Sequence, residues 1–183
     1  MRVLVCGMNY APEPVGIARY TSEMAERLAA RGHEVRVMAA PPHYPAWKVG
    51  EGYRGWAYKR ETIRGVDVLR CPLWVPGNPE RPTRLFHFLS FAFSSFPVLL
   101  SQAFWRPDVV LAVEPTLFCA PGALAAARLA GARAWLHVQD FEVEAFFGLG
   151  FAPGGPVKRW VAAAEGWLMR RFDTVSSISR RMI

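Results

Sequence analysis

The chain has only three cysteines among its 183 residues: Cys6, Cys71 and Cys119. An odd number of widely spaced cysteines gives neither a disulfide framework nor the close pairs of a zinc site. The apolar run at the N-terminus is too short for the hydrophobic region of a signal peptide and predicts a strand instead. Both absences favour a reducing, cytosolic compartment.

Acidic residues are also few, since 15 Asp and Glu face 22 Lys and Arg and leave a net charge of +7. This surplus suits anionic partners such as sugar nucleotides, anionic lipid surfaces or nucleic acid. The basic residues are scattered, however, and no recognition helix, zinc finger or aromatic RNA-binding motif is present. We therefore expect no nucleic acid partner.

Two common nucleotide-binding motifs are missing. The pattern G-x-G-x-x-G does not occur between Gly7 and Gly16, and no acidic residue ends the second predicted strand, which disfavours a nicotinamide oxidoreductase. The P-loop pattern G-x-x-x-x-G-K-[ST] is absent, so a P-loop phosphotransferase has no support. Internal repeats, low-complexity runs and linkers are lacking too, and the length suits one core, so residues 1–183 are predicted to form one domain.

The hydrophobic pattern alternates between strands and helices. Strands are predicted at Arg2–Met8, His33–Ala39, Asp108–Val113, Ala132–Val138 and Thr174–Ile178, and helices at Ala18–Arg31, Pro121–Leu129 and Pro156–Arg171. The first three elements form a βαβ unit, which implies parallel pairing. Lys59–Ile63 and Val66–Pro72 flank Arg64-Gly65 and predict a hairpin or a pair of short strands. We expect an α/β fold, a single Rossmann-like doubly wound and mainly parallel sheet with helices on both faces.

Ligands of such sheets bind outside the carboxyl ends of the strands, which points to the loops after the predicted strands. Gly16 follows the first of these loops and precedes a helix, whose free backbone N–H groups and dipole favour an anion. Because Gly16 lacks Cβ, a donor phosphate or sugar could contact it and Ile17 closely. A glycine required only by the turn explains the pattern equally well.

One long apolar segment, Leu85–Trp105, carries no formal charge and lies between Arg84 and Arg106. It is about long enough to cross a bilayer, although its serines and its central proline argue against a span. A helix buried under a neighbouring element is our first expectation. Contact with a membrane surface is the second, and a transmembrane span is the last.

Several motifs resemble one known family. The opening NYAPEPVGIARYTSEMAERLAARGHEVRV is similar to that of glycosyltransferase family 4, in which a strand, a glycine-containing loop, a helix and a G-H-E-V strand recur. The segments APPHYPAWKVGEGYRGW, RPDVVLAVEPTLFCAPGA and AWLHVQDFEVEA look like a subgroup related to colanic-acid-type exopolysaccharide glycosyltransferases. The resemblance covers essentially the whole chain.

The resemblance implies the GT-B architecture, in which two Rossmann-like domains face each other across a cleft. Residues 1–183 would be the N-terminal, acceptor-side domain, and the C-terminal nucleotide-sugar-binding domain would lie outside this chain. Family members carry an E-x7-E pair in that second domain. Only Glu26 and Glu34 show this spacing here, on a helix and the following strand, and we interpret that match as chance.

The resemblance also implies a reaction and its partners. The enzyme would be a retaining hexosyltransferase with no metal or other cofactor, and its nucleotide-sugar would be a substrate. The acceptor would be a lipid-linked saccharide in bacterial surface polysaccharide synthesis. The protein would then be cytoplasmic and peripheral at the inner face of the cytoplasmic membrane, and we expect this chain alone to be inactive.

Family members often carry a histidine-aspartate site after a core strand, and the corresponding residues here are His137, Gln139 and Asp140. Aligning the aspartate puts Gln139 at the histidine position, while His137 points to the same side of the strand. A neutral His or Gln can orient a donor hydroxyl, and Asp140 can accept a proton from the acceptor hydroxyl. A core histidine and an aspartate that merely caps a turn are the alternatives.

Acceptor-binding candidates lie in the other loops. His43, Tyr44 and Trp47 offer flat apolar faces with polar tips, which suit sugar rings or a lipid-linked acceptor. Glu114 and Glu142 follow predicted strands, and no histidine stands near them at metal-ligand spacing, so no metal is expected. Packing within the domain and solvated loop carboxylates are the alternatives.

Two other kinds of protein remain possible from the sequence. The chain could be a non-catalytic membrane-surface or scaffold module that uses the apolar segment to recruit partners. It could also be a complete small nucleotide-binding enzyme, in which case it would bind a nucleotide-sugar without a second domain.

Overall fold

The computed structural model describes residues 1–14, 16–78, 81–114, 117–139 and 156–178. Within these ranges seven strands are present: β1 (Arg2–Cys6), β2 (Glu34–Ala39), β3 (Lys59–Ile63), β4 (Val66–Arg70), β5 (Val109–Glu114), β6 (Arg133–Val138) and β7 (Thr174–Ser177). They form one sheet in the order β3-β4-β2-β1-β5-β6-β7. Six strands run parallel, and the edge strand β3 runs antiparallel to β4. The mainly parallel sheet is the predicted one.

The described residues also form four α-helices: α1 (Ile17–Ala30), α2 (Arg81–Ser101), α3 (Ala120–Ala130) and α4 (Pro156–Met169). Short 3₁₀ helices, Gln102–Trp105 and Leu117–Cys119, follow α2 and precede α3. Helix α2 begins four residues before the predicted start at Leu85. Pro82 is compatible with that earlier start, because the first turn of a helix does not use its backbone N–H groups.

The predicted hairpin is confirmed by the pairing of β3 with β4. Its two-residue turn consists of Arg64 at φ 47° and Gly65 at φ 81°. Two positive φ values are typical of a type I′ turn, whose twist matches that of the flanking strands. Parallel pairing of β4 with β2 then returns the chain to the main sheet.

Side chains alternate between two apolar layers, because successive residues of a strand point to opposite faces. Val5 and Val37 pack with Ala25 of α1 on one face. On the other face Leu4 packs with Phe91 of α2 and with residues of α3. Helix α4 adds Leu168 and Met169 to this second layer. The sheet therefore carries helices on both faces, as predicted.

Helices α2 and α3 approach each other closely at Gly122. A Cβ atom placed there would lie 2.9 Å from Cδ1 of Leu99 and 3.2 Å from Cδ2 of Phe96. The missing side chain thus lets the two helices pack against each other, and it fixes which face of α2 points inward.

The helical stretch Thr83–Trp105 is long and apolar enough to cross a membrane by length and composition alone, and 22% of its most apolar window is buried. The expectation of a helix buried under a neighbour is correct for one face only. Phe91 and Leu99 are fully buried, whereas Phe93 is 77% exposed.

The strand order places the crevice of the sheet between β1 and β5. The chain leaves β1 through α1 towards β2, and it returns from β4 through α2 to β5 on the other side of β1. Neighbouring strands whose connections run in opposite directions leave a gap between their carboxyl ends. Of the loops within the described residues, those after β1, β2 and β4 begin at this edge of the sheet.

Candidate functional site

The loop after β1 is held to the loop after β2 by one buried carboxylate, Glu13. Its Oε1 accepts hydrogen bonds from the backbone N–H groups of His43, at 2.7 Å, and Tyr44, at 2.9 Å. Its Oε2 accepts a third from Nδ2 of Asn9, at 2.9 Å. The side chain is 2% exposed. Three donors offset the cost of burying this charge, and they fix the backbone of the two predicted acceptor-binding residues.

His43 and His87 form a buried imidazole pair, with their ring centroids 4.9 Å apart. Nδ1 of His43 lies 3.0 Å from the carbonyl oxygen of Pro41, and Nδ1 of His87 lies 2.7 Å from that of Trp74. A carbonyl can only accept, so in each ring this nitrogen carries the proton. Nε2 of His87 is then a lone-pair acceptor, and among the described residues it has no hydrogen-bond partner.

Burial lowers the pKa of both rings, to about 4 for His87, so both imidazoles are neutral at pH 7. For His43 the nearby Glu13 carboxylate acts in the opposite direction without cancelling the effect of burial. Neutral rings can orient hydroxyl groups without attracting phosphates as cations would.

Trp47 covers this pair, with its ring centroid 5.2 Å from that of His87. Its backbone is left-handed, at φ 51°, a conformation that a bulky residue adopts only when the surroundings enforce it. Tyr44 stands next to Trp47 with its side chain 44% exposed. The loop therefore exposes the ring of Tyr44 to solvent, next to the buried imidazole pair of His43 and His87.

A fully buried arginine, Arg70, supports the same two loops from β4. Its Nη1 donates to the carbonyl of Ala40, at 2.9 Å, and its Nη2 donates to the carbonyl of Ala11. Its Nε donates to Oε1 of Glu61, at 2.8 Å. Arg70 and Glu13 thus both connect the loop after β1 to the loop after β2. Arg70 does so as a hydrogen-bond donor, and Glu13 does so as an acceptor.

Gly16 occupies the N-cap of α1 at φ 61° and ψ −138°. Side chains are strongly disfavoured in this backbone conformation, so the turn itself requires glycine. No side chain caps the helix, and Ile17 is its first residue. This geometry accounts for the glycine without a ligand, and contact of Gly16 and Ile17 with a donor phosphate or sugar stays a prediction.

The other predicted residues lie at the ends of β5 and β6. His137 is half-buried, with Nδ1 2.9 Å from Oγ of Ser176, and Gln139 is buried beyond the end of its strand. Glu114 is fully buried, and neither of its oxygens has a hydrogen-bond partner among the described residues. Burial, followed by the charge of Glu165, raises the pKa of Glu114 to about 8. Asp140 and Glu142 lie outside the described residues.

The structure divides the predicted residues into two groups. His43, Tyr44 and Trp47 follow β2, whereas His137 and Gln139 belong to the end of β6. Strands β1 and β5 lie between β2 and β6, so three strand spacings, about 14 Å, separate the groups across the sheet. That distance suits two substrates that meet over a crevice better than one compact catalytic cluster.

No group of three or more His, Cys, Asp or Glu side chains that could hold a metal occurs in the described part of the chain. The expectation of a reaction without metal or other cofactor is a statement about the whole enzyme, and it stays a prediction.

Replacement of Glu13 by glutamine is expected to lower the free energy of unfolding by about 1–3 kcal/mol. The amide is almost isosteric, but its NH2 group must face either Asn9 or the two backbone N–H groups, and one set of donors loses its partner. Urea unfolding measures the loss, and limited proteolysis should show earlier cleavage within residues 41–49. The matched control is Glu23→Gln, which removes only an exposed i,i+4 pair with Arg19 and should cost about 0.5 kcal/mol or less. Equal losses in the two variants would contradict this role of Glu13.

Comparison with known proteins agrees with this geometry. A match to the glycosyl transferase 4-like domain extends over residues 15–183, and the chain belongs to this family. It is 53% identical over 186 residues to a protein of Escherichia coli strain K12 named as a colanic acid biosynthesis glycosyl transferase, WcaI, covering all of this chain and 46% of that protein. The family resemblance predicted from the sequence is thereby confirmed, and the relative at 53% identity is named as a glycosyl transferase.

More distant proteins share the fold. A glycogen synthase of Mycobacterium tuberculosis strain H37Rv is 27% identical over 193 residues, covering 100% of this chain and 43% of that protein. The solved structure of a sucrose-phosphate synthase from Thermosynechococcus elongatus superimposes with a TM-score of 0.57 over 90% of this chain and 39% of that chain, at 12% identity. The last similarity supports the predicted Rossmann-like half of a GT-B fold. The chain spans about half the length of the curated relatives it matches.

Proposed function

We propose that this chain is the acceptor-side domain of a retaining glycosyltransferase in bacterial exopolysaccharide synthesis of the colanic acid type. A nucleotide-sugar would be the donor, a lipid-linked saccharide the acceptor, and a second domain, absent from residues 1–183, would hold most of the donor. No metal or other cofactor takes part in the proposed reaction. The protein would act at the inner face of the cytoplasmic membrane.

The observation that carries this proposal is the arrangement around Glu13. It fixes the backbone of His43 and Tyr44 at the carboxyl edge of the sheet, next to the switch point where ligands of such folds bind. The exposed ring of Tyr44 can stack on a sugar ring, and the buried imidazole of His43 would hold the backbone of this loop in place beneath it. Family membership and the 53% identity to a transferase support the reaction class.

The two groups of predicted residues would bind different substrates. The group after β2 would hold the acceptor. His137, Gln139 and Asp140, at the end of β6, would face the donor and the attacking hydroxyl, and Glu114 and Glu142 would line the acceptor side of the crevice. Gly16 and Ile17, at the start of α1, would contact the donor phosphate or sugar between the two groups.

Binding measurements on the 183-residue chain test this division of labour. Calorimetric titration should show weak or no binding of nucleotide-sugars, and transferase assays should show little or no turnover. Adding the C-terminal half of a close relative, as a fusion, should restore transfer to a short-chain polyprenyl-diphosphate sugar. Full turnover by the chain alone would refute the proposal, and tight nucleotide-sugar binding would favour a complete nucleotide-binding enzyme.

A further inference from the structure

Helix α2 carries apolar residues on two sides, unlike an ordinary surface helix. The side facing the sheet buries Phe91 and Leu99 together with the polar residues His87 and Ser95, and Gln102 is buried in the 3₁₀ helix that follows. The side facing solvent carries Phe86 and Phe93, exposed by 61% and 77%, and Phe104 in the following 3₁₀ turn is exposed by 93%. Phe96, 45% exposed, lies at the edge of this side, where its ring also approaches Gly122 of α3. Surface helices of globular domains normally carry polar and charged residues on the side that faces solvent.

The exposed rings of α2 lie within one sector of the helix. Positions 86, 93 and 96 differ by seven and three residues, which puts them within about 80° of one another at 3.6 residues per turn, and Phe104 follows in the 3₁₀ helix. From Phe86 to Phe104 the distance along the axis is about 27 Å at 1.5 Å per residue. Phe86, Phe93, Phe96 and Phe104 are called the phenylalanine stripe below.

The polar residues of the inward side are held by specific bonds. His87 donates to the carbonyl of Trp74, and Ser94 donates to that of Pro72. Oε1 of Gln102 accepts from Nη1 of Arg36, at 2.8 Å. These bonds join α2 to the loop after β4 and to β2, and close packing at Gly122 adds a fourth constraint. Rotation of the helix to bury its phenylalanines would therefore break these three hydrogen bonds and the close packing at Gly122.

The charges around the phenylalanine stripe indicate which kind of partner covers it. From Arg81 to Pro107 the sequence has no acidic residue, and Arg84 and Arg106 stand at the two ends of the apolar run. Near the second end, the guanidinium carbon of Arg36 lies 4.3 Å from the ring centroid of Trp105, but this cation is paired with Asp67, at 3.1 Å. An apolar face between cations matches the interface of a membrane that contains anionic lipids.

Two exposed aromatic residues lie near α2 outside the phenylalanine stripe. The hydroxyl of Tyr58 donates to the carbonyl of Ser94, which places this 56% exposed ring beside the middle of α2. Trp74, whose carbonyl accepts from His87, is 48% exposed. Tyrosine and tryptophan, with an apolar ring and a polar tip, are enriched at the headgroup level of membranes.

We propose that the phenylalanine stripe docks onto the surface of an anionic lipid bilayer, with α2 lying in the plane of the interface. This inference rests on the proposed function, since a lipid-linked acceptor must be reached at a membrane. The opposite side of α2 stays packed on the sheet, so the helix lies on the bilayer and does not cross it. His87 links the two regions, because it belongs to α2 and touches His43 of the acceptor loop.

Vesicle co-flotation of the 183-residue chain tests this surface. We expect binding to vesicles that contain phosphatidylglycerol and weaker binding to vesicles of phosphatidylcholine alone. The variant Phe93→Ser, Phe104→Ser should reduce the membrane partition coefficient at least about tenfold, because it removes two rings that insert into the interface. Both residues are exposed, so the fold should be kept, and circular dichroism verifies this.

The control variant is Leu129→Ser, which removes a 69% exposed apolar side chain from α3 and should leave binding unchanged. Phe88 and Phe91 do not serve this purpose, because they pack into the core. Equal binding of the wild type and the double variant would overturn the proposal. So would light scattering that shows a dimer which the double variant abolishes, without any vesicle binding, since the stripe would then cover a second copy.

Turnover distinguishes this inference from the proposed function. If the fused enzyme transfers sugar to a short-chain acceptor in detergent but the chain does not bind vesicles, the docking surface is refuted and the proposed transferase function is kept. If vesicles bind through the stripe but no transfer occurs with any nucleotide-sugar, the docking surface stands and the transferase is refuted.

Discussion

Replacement of Arg70 by alanine should lower the free energy of unfolding by roughly 3–5 kcal/mol, the range measured when one partner of a buried ion pair is removed. The guanidinium is 1% exposed and donates to Ala11, Ala40 and Glu61. Although burial acts in the opposite direction, these contacts keep the pKa of Glu61 below its ordinary value. Without Arg70 the half-buried Glu61 carboxylate loses this partner, and two loop carbonyls lose their donors.

The matched control lies on the other strand of the same hairpin. Arg60 also pairs with a carboxylate, Asp67, at 2.6 Å, but its side chain is 64% exposed. Exposed pairs contribute little, so Arg60→Ala should cost less than about 1 kcal/mol. Urea unfolding followed by tryptophan fluorescence measures both variants. Losses of similar size would show that Arg70 is not the link between the two loops.

The succession of strands and helices could be predicted because each element is marked by a pattern in its own residues. Alternation of apolar residues marks β1 and β2, the 3.6-residue period marks α1, and Arg64-Gly65 marks the hairpin. Boundaries moved by a few residues, as at the start of α2, because several competing endings are nearly equal in energy. The parallel order of the sheet followed from the connections and not from any single residue.

The contacts that build the candidate site could not be predicted, because they join distant parts of the chain. Glu13 meets His43 across 30 residues, and Arg70 meets Ala11 across 59. In the sequence Glu13 is one polar residue in a proline-rich loop, and Arg70 is a charged residue in phase with the apolar positions Val66 and Val68 of its strand. A charged residue between buried strand positions was the one available signal for Arg70, since such a side chain must find partners in the interior.

Helix α2 shows a further limit of composition. The uncharged run 85–105 indicates burial, but it does not say which side of the helix is buried. That choice depends on partners such as Trp74, Pro72 and Arg36, which hold the polar side inward. In the sequence His87 is one polar residue in an apolar run, and only the fold shows its contact with His43.

The free energy of unfolding should fall as the pH rises from about 4.5 to about 8, through the carboxyl group of Glu114. Its pKa is raised to about 8 by burial and by Glu165, so between these values the folded state binds a proton that the unfolded state has released. Stability then decreases by up to about 1.4 kcal/mol for each pH unit. A group with a raised pKa of this kind destabilises the folded state most at and above pH 8.

Glu114→Gln removes this titration and should therefore be more stable than the wild type at pH 8, by on the order of 3–5 kcal/mol, and nearly equal to it at pH 4.5. Burial lowers the pKa of His87 to about 4. Below about pH 6.5 His87 therefore makes the free energy of unfolding rise with pH, which is opposite to the effect of Glu114. Because His87 contributes equally to both proteins, the quantity to compare is the difference in free energy of unfolding between the wild type and Glu114→Gln. Urea unfolding across this pH range measures it. Glu34→Gln, at a 64% exposed carboxylate, is the control and should show no such crossover. A difference between wild type and Glu114→Gln that does not change with pH would mean that Glu114 is already ionised in the fold, with a donor that reaches it from the crevice.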